Sequence, residues 1–136
     1  MPTSAERKFE LLMKILQKLC KKDERSIPIL VEGKKDLSAL RRLGIRGEVF
    51  CVRNSGKVLV DSLDEVQNEE VILLVDFDEY GIALAKDIIQ YLERKGVKVN
   101  SIFWKEIGAL VKRNVKDVEG LPSYLEKLKK NVEYLT

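Results

Sequence analysis

The sequence predicts an α/β protein with a roughly four-stranded, mostly parallel sheet and helices on both faces. Two observations carry this. Short apolar runs of strand length alternate with segments of helical periodicity, as in a parallel sheet joined by crossover helices. Runs such as VILLV are apolar throughout rather than alternating, which suits strands covered on both sides. A chain of 136 residues fits one domain and is long enough to bury a core without staples.

Taken in order, residues 5–22 read as an amphipathic helix, with Phe9, Leu12, Ile15, Leu16 and Leu19 on one face and lysines opposite. Ser4 is the expected cap. IPILV (27–31) is a short buried strand with Pro28 near its start, where a missing N–H does least harm. Residues 36–43 form a short helix stopped by Gly44, and EVFCV (48–52) a second strand. RNSG (53–56) is a turn, and 58–63 leans towards helix. VILLV (71–75) is the third strand. Residues 80–95 form a strong helix ended by Gly96, and VKVNSIF (97–103) alternates as a fourth strand. Helices follow at 105–113 and 121–132. The expected organisation is an N-terminal helix over 1–25 packed on the domain, a core over 26–105 and a C-terminal helical extension over 106–136.

Composition excludes several chemistries. The chain has no histidine, which removes Ser-His-Asp triads, Cys-His pairs and histidine zinc sites. Two cysteines, Cys20 and Cys51, make neither a disulfide framework nor an all-cysteine zinc site. They point to a reducing cytoplasm. No signal-peptide or membrane-spanning run is present, so no membrane is expected. A high charge content with few glutamines leans towards a heat-tolerant source. Charge is unevenly spread: residues 1–57 carry 14 basic and 7 acidic side chains, 58–85 carry 8 acids and no base, and 86–136 carry 11 bases and 7 acids. An acidic centre between basic flanks is what a metal site handling a polyanion needs, although basic helices around an acidic loop give the same tally.

Functional residues of such sheets gather beyond the carboxyl ends of the strands. The first strand ends in Glu32-Gly33-Lys34-Lys35-Asp36, the third in Asp76-Phe77-Asp78-Glu79-Tyr80-Gly81. If these strands are parallel neighbours, Glu32, Asp76 and Asp78 meet at one edge, and i, i+2 spacing in extended chain lets the two aspartates converge. Carboxylates so placed raise one another's pKa unless a divalent cation lies between them, and an oxygen-only donor set suits Mg²⁺ with Mn²⁺ as substitute.

These residues resemble the Toprim pattern, shared by topoisomerases, bacterial-type primases, recombination-repair proteins, overcoming-lysogenization nucleases and 5S ribosomal RNA maturases. The match is Glu32, Gly33 and Asp36, then Asp76, Asp78 and Gly81, over residues 26 to about 105. The small maturases look closest, through the tyrosine and glycine of the second motif, a turn like Asn54-Ser55-Gly56, and a Val-Glu segment echoed by Val118-Glu119. The resemblance implies a compact Rossmann-like Toprim fold in which Asp76 and Asp78 hold one or two Mg²⁺ ions and Glu32 completes the shell or acts as general acid/base. It implies a partner in RNA or DNA and phosphodiester hydrolysis. Its alternatives are a non-catalytic module gripping Mg²⁺ and nucleic acid, and a primase-like subunit needing a partner that docks on the helix at 5–22.

Other residues have plainer readings beside the functional one. Asp36, opening a helix, is read as an N-cap. Lys34 and Lys35 stand where phosphates near a metal would reach, or are plain surface. Asn54 to Lys57 is not a P-loop, since the first glycine is missing; Ser55 and Gly56 read as a turn and Lys57 as a phosphate contact. Gly33 is expected to serve a tight turn and Gly81 the close approach of a helix. Phe103 and Trp104 are expected to end the fourth strand in the core.

Overall fold

A computed structural model describes residues 3–53 and 58–135. Helix α1 (Ser4–Glu24) begins at Thr3, whose hydroxyl accepts from the Glu6 N–H at 3.1 Å. Thr3, not Ser4, is therefore the cap. Strand β1 (Ile29–Val31), helix α2 (Lys34–Arg42), strand β2 (Val49–Cys51) and helix α3 (Leu59–Asp64) follow. Strand β3 (Glu70–Leu74) leads to α4 (Glu79–Arg94), β4 (Lys98–Asn100), α5 (Ile102–Val111), a single 3-10 turn (Val118–Gly120) and α6 (Leu121–Leu135). Gly96 ends α4 with φ +86°, the left-handed conformation that glycine adopts without strain.

The sheet runs β2-β1-β3-β4, with every pairing parallel. In register, Leu30 sits opposite Phe50 on one side and Leu73 on the other. Alternation along the strands feeds two cores. Ile29, Val31, Ile72 and Leu74 point to a layer filled by Leu12, Ile15, Leu16 and Leu19 of α1, Leu40 of α2, Phe103 and Ile107 of α5 and Leu121 of α6. Leu30, Val71, Leu73 and Val75 point to the other layer, closed by Leu63 of α3 and Leu84, Ile88 and Leu92 of α4. The doubly covered sheet expected from VILLV is borne out: Val71 to Val75 are fully buried. Each such aliphatic side chain contributes roughly 1.5–3 kcal/mol.

The apolar face of α1 packs against α5 and α6 of its own chain. The fourth strand is shorter than its sequence pattern. Asn100 Oδ1 accepts the Ile102 N–H at 3.0 Å, turning the chain into α5, so Phe103 and Trp104 lie on a helix rather than a strand. No helix among the described residues is long and apolar enough to cross a membrane.

Candidate metal centre

In the order β2-β1-β3-β4 the chain leaves β1 to one side for β2 and returns on the other for β3. Connections diverge between β1 and β3, and the crevice beyond their carboxyl ends is where open α/β sheets bind ligands. Glu32 follows β1 directly, and Asp76 lies just past β3. Oxygens of Glu32, Asp36 and Asp76 all fall within 4.8 Å of one another. The convergence of Glu32 and Asp76 is thus the one the sequence anticipates, while Asp36 joins them unannounced.

Asp36 is buried, at 7% exposure. One oxygen accepts the Gly33 N–H and the other the Glu119 N–H, each at 3.1 Å. Gly33 is the N-cap of α2 and Asp36 sits three residues in, reaching back to it. The capping expectation is corrected in position: Asp36 satisfies a free N–H of the helix start from inside the helix, and ties that start to the 3-10 turn. Burial, and the charges of Asp117 and Glu32, raise its pKa against the lowering effect of those two N–H donors. The Val118-Glu119 segment therefore arrives at the site through its backbone.

Glu32 is held by Arg53, whose Nε donates to Oε1 at 3.1 Å. The Arg53 guanidinium lies over the Tyr80 ring, 4.9 Å from its centroid. Asp76 has its carbonyl fixed by Trp104 Nε1 at 3.2 Å, and the next N–H, of Phe77, donates to the Lys116 carbonyl at 2.7 Å. Its carboxyl is pushed up to about 8, first by burial, then by the hydrogen bond and charge of Glu32, then by the charges of Asp36 and Asp117. Without a cation, Asp76 therefore keeps its proton near neutrality and Glu32 faces it.

Asp78 is exposed and caps α4, accepting the Gly81 N–H at 2.8 Å. It stands outside the three-carboxylate group. Lys34 and Lys35 are exposed on the first turn of α2, beside Glu32 in the chain. Lys57, with Asn54, Ser55 and Gly56, lies outside the described residues. Gly81 fulfils the close-approach expectation: a Cβ there would fall 2.0 Å from the Asp76 carbonyl oxygen. Gly33 does not need to be glycine for its turn. Its φ of −147° is extended backbone, and nothing lies within 4 Å of a Cβ built there.

The donor set fits a hard divalent cation. All three groups offer oxygen, and the proton that Asp76 retains marks a place where positive charge is wanted. Asp36 keeps lone pairs beyond its two N–H contacts. Nothing in the sequence marks Arg53, Asp117 or Trp104 as parts of this site. Arg53 and Trp104 are far in sequence from what they hold, and only the Val118-Glu119 echo pointed at the last segment.

Fold and site together define a Toprim protein, and the model of the Toprim domain matches residues 26–103. The chain belongs to that family. More narrowly, its relatives are UPF0292 proteins of archaea. The UPF0292 protein of Methanocaldococcus jannaschii is 38% identical over 120 residues, covering 88% of this chain and 93% of the relative. That of Thermoplasma volcanium is 40% identical over 104 residues, covering 75% and 85%. A solved structure from Aquifex aeolicus, 32% identical, superposes with a TM-score of 0.65 over 79% of this chain and 94% of its own. Membership carries a metal-dependent, nucleic-acid-related function.

Proposed function

We propose that the protein is a Mg²⁺-dependent nucleic-acid-processing enzyme that hydrolyses phosphodiester bonds. The observation that carries this reading is the convergence of Glu32, Asp36 and Asp76 at the β1/β3 crevice. Glu32 and Asp76 hold the cation with Asp36 beside them, and Asp78, outside that group and capping α4 through Oδ1, would join as a ligand through its other oxygen. A divalent ion held by these oxygens would lower the pKa of a water and stabilise charge on a leaving oxygen, and a second ion would share that work. Glu32, held at Oε1 by Arg53, keeps Oε2 to take or return a proton beside the cation. Lys34, Lys35 and Lys57 receive the phosphates of the strand. Mn²⁺ substitutes for Mg²⁺ on the same oxygens. The free thiols of Cys20 and Cys51 support a cytoplasmic setting.

One observation favours a second reading. Glu32 is occupied by an ion pair with Arg53, as suits a module that binds metal and nucleic acid without turnover. Cleavage decides between them. End-labelled structured RNA, single-stranded DNA and duplex DNA are incubated with the protein in Mg²⁺, Mn²⁺ or EDTA, beside an Asp76→Ala/Asp78→Ala variant. Cutting of one polymer in metal, abolished by EDTA and by the variant, is expected. Salt-sensitive binding without cutting, unchanged in the variant, would overturn the nuclease reading in favour of the module.

A further inference from the structure

Beyond Arg53 from the acidic cluster lies a cavity of about 430 Å³, lined by Val52, Arg53, Leu59, Tyr80, Leu84 and Asp87 among others. Its size lies within the range of small-ligand sites, roughly 300–1,000 Å³. The cavity opens between the end of β2 and the first turns of α3 and α4. Arg53 belongs to both places: its Nε holds Glu32 at 3.1 Å and its guanidinium covers Tyr80. Only Nε of that guanidinium is used in the described hydrogen bonds, and the fork retains further N–H donors. Tyr80, in the first turn of α4, is 53% exposed even with Arg53 over its ring, so part of the aromatic surface stays open. Asp87 supplies an acceptor on the far wall.

We propose that this cavity receives one unpaired base of a single-stranded nucleic acid, stacked on Tyr80. The strand's adjoining phosphate would lie on Arg53, towards the carboxylates. Arg53 thus links base capture to the metal centre, since the cation that bears on Glu32 and the phosphate that bears on Arg53 compete with the same ion pair. Leu59, Val52 and Leu84 give the apolar floor a flat ring needs, and Asp87 accepts from a base N–H. An unpaired base is favoured over a duplex because its face must be free to stack. The inference rests on the nucleic-acid reading above and adds the form of the substrate and the residue that grips it.

The test measures binding by fluorescence anisotropy, with Ca²⁺ in place of Mg²⁺ to hold down turnover. The probes are a labelled single-stranded oligonucleotide and an abasic strand with the same number of phosphates. Tyr80→Ala is expected to weaken the base-bearing strand about tenfold and leave the abasic strand unchanged. Tyr80→Phe is expected to retain affinity, and Arg53→Gln to weaken both strands. Circular dichroism checks that the variants remain folded. An equal loss on both strands, or none on either, with the wild type still binding, would overturn the stacking site alone. Failure of the wild type to bind any strand would overturn the nucleic-acid reading and this inference with it.

Discussion

Two junctions of this molecule are written in nearly the same words and built differently. After β1 come Glu32, Gly33 and Asp36; after β3 come Asp76, Asp78 and Gly81. Each joins a buried strand to a helix, and in each an aspartate accepts the N–H of a glycine three residues away. At β1–α2 the aspartate reaches back, is buried, and spends its second oxygen on Glu119. At β3–α4 it reaches forward and stays exposed. The glycines differ in the opposite sense, Gly33 standing in open space and Gly81 pressed against the Asp76 carbonyl. The first junction is thus fixed by its aspartate and the second by its glycine.

The harshest way to probe that contrast is Gly81→Ala. The added methyl would meet backbone at 2.0 Å, and backbone cannot turn aside as a side chain can. The Asp76 carbonyl would have to move, and with it the Trp104 contact. A loss of about 3 kcal/mol is expected in urea unfolding, the upper end for overpacking, with a change in Trp104 fluorescence. Asp36→Ala comes next. It strands the N–H groups of Gly33 and Glu119 in a part-buried place and is expected to cost about 2 kcal/mol. Asp36→Asn keeps one acceptor and recovers about half of that loss. An Asp36→Ala protein as stable as the parent would show that the first junction holds without its aspartate.

Most of the scaffold was legible because it rests on local pattern. The four apolar runs, the helices between them, and the approach of Glu32 to Asp76 follow from periodicity and strand adjacency. The errors also have local causes. Thr3 caps α1 because Thr3-x-x-Glu6 carries the capping spacing and Ser4-x-x-Arg7 does not. VKVNSIF reads as a longer strand than it forms because its alternation hides the turn-forming Asn100-Ser101 pair. What no pattern contained is long-range: Asp36 meets Glu119 across 83 residues, and Glu32 meets Arg53 across 21. Those contacts determine which carboxylates crowd together, so the membership of the cluster was less legible than its location.

The crowding itself predicts a pH dependence. Asp76 binds its proton more tightly in the folded chain, at about 8, than at its ordinary 3.8. A carboxyl raised on folding stabilises fully below its unfolded pKa, and that contribution is lost as pH climbs through the folded one. In EDTA the thermal midpoint should therefore decline between about pH 4 and pH 8. Asp76→Asn, which cannot ionise, should not share this component of the decline. The gap at high pH is expected to reach about 1 kcal/mol, since solvent screens a group that is only half-buried. Mg²⁺ should close the gap by stabilising the parent alone. Parallel pH profiles for parent and variant would remove the like-charge crowding from the account of the first junction and the second alike.

Gly33→Ala is the mildest change and the sharpest complement to Gly81→Ala. Alanine adopts a φ of −147° freely, and its methyl meets nothing within 4 Å. Two small effects then oppose each other. Alanine narrows the unfolded ensemble, which stabilises by about 0.4–1 kcal/mol, but it is a poorer N-cap than glycine by a similar amount. The urea midpoint is expected to stay within about 0.5 kcal/mol of the parent. A loss as large as that of Gly81→Ala would mean the two glycines do the same job. Unchanged stability with weakened Mg²⁺-dependent binding of nucleic acid would mean that the space above Gly33 is kept for a ligand, which a sequence pattern of strand, carboxylate and glycine cannot by itself reveal.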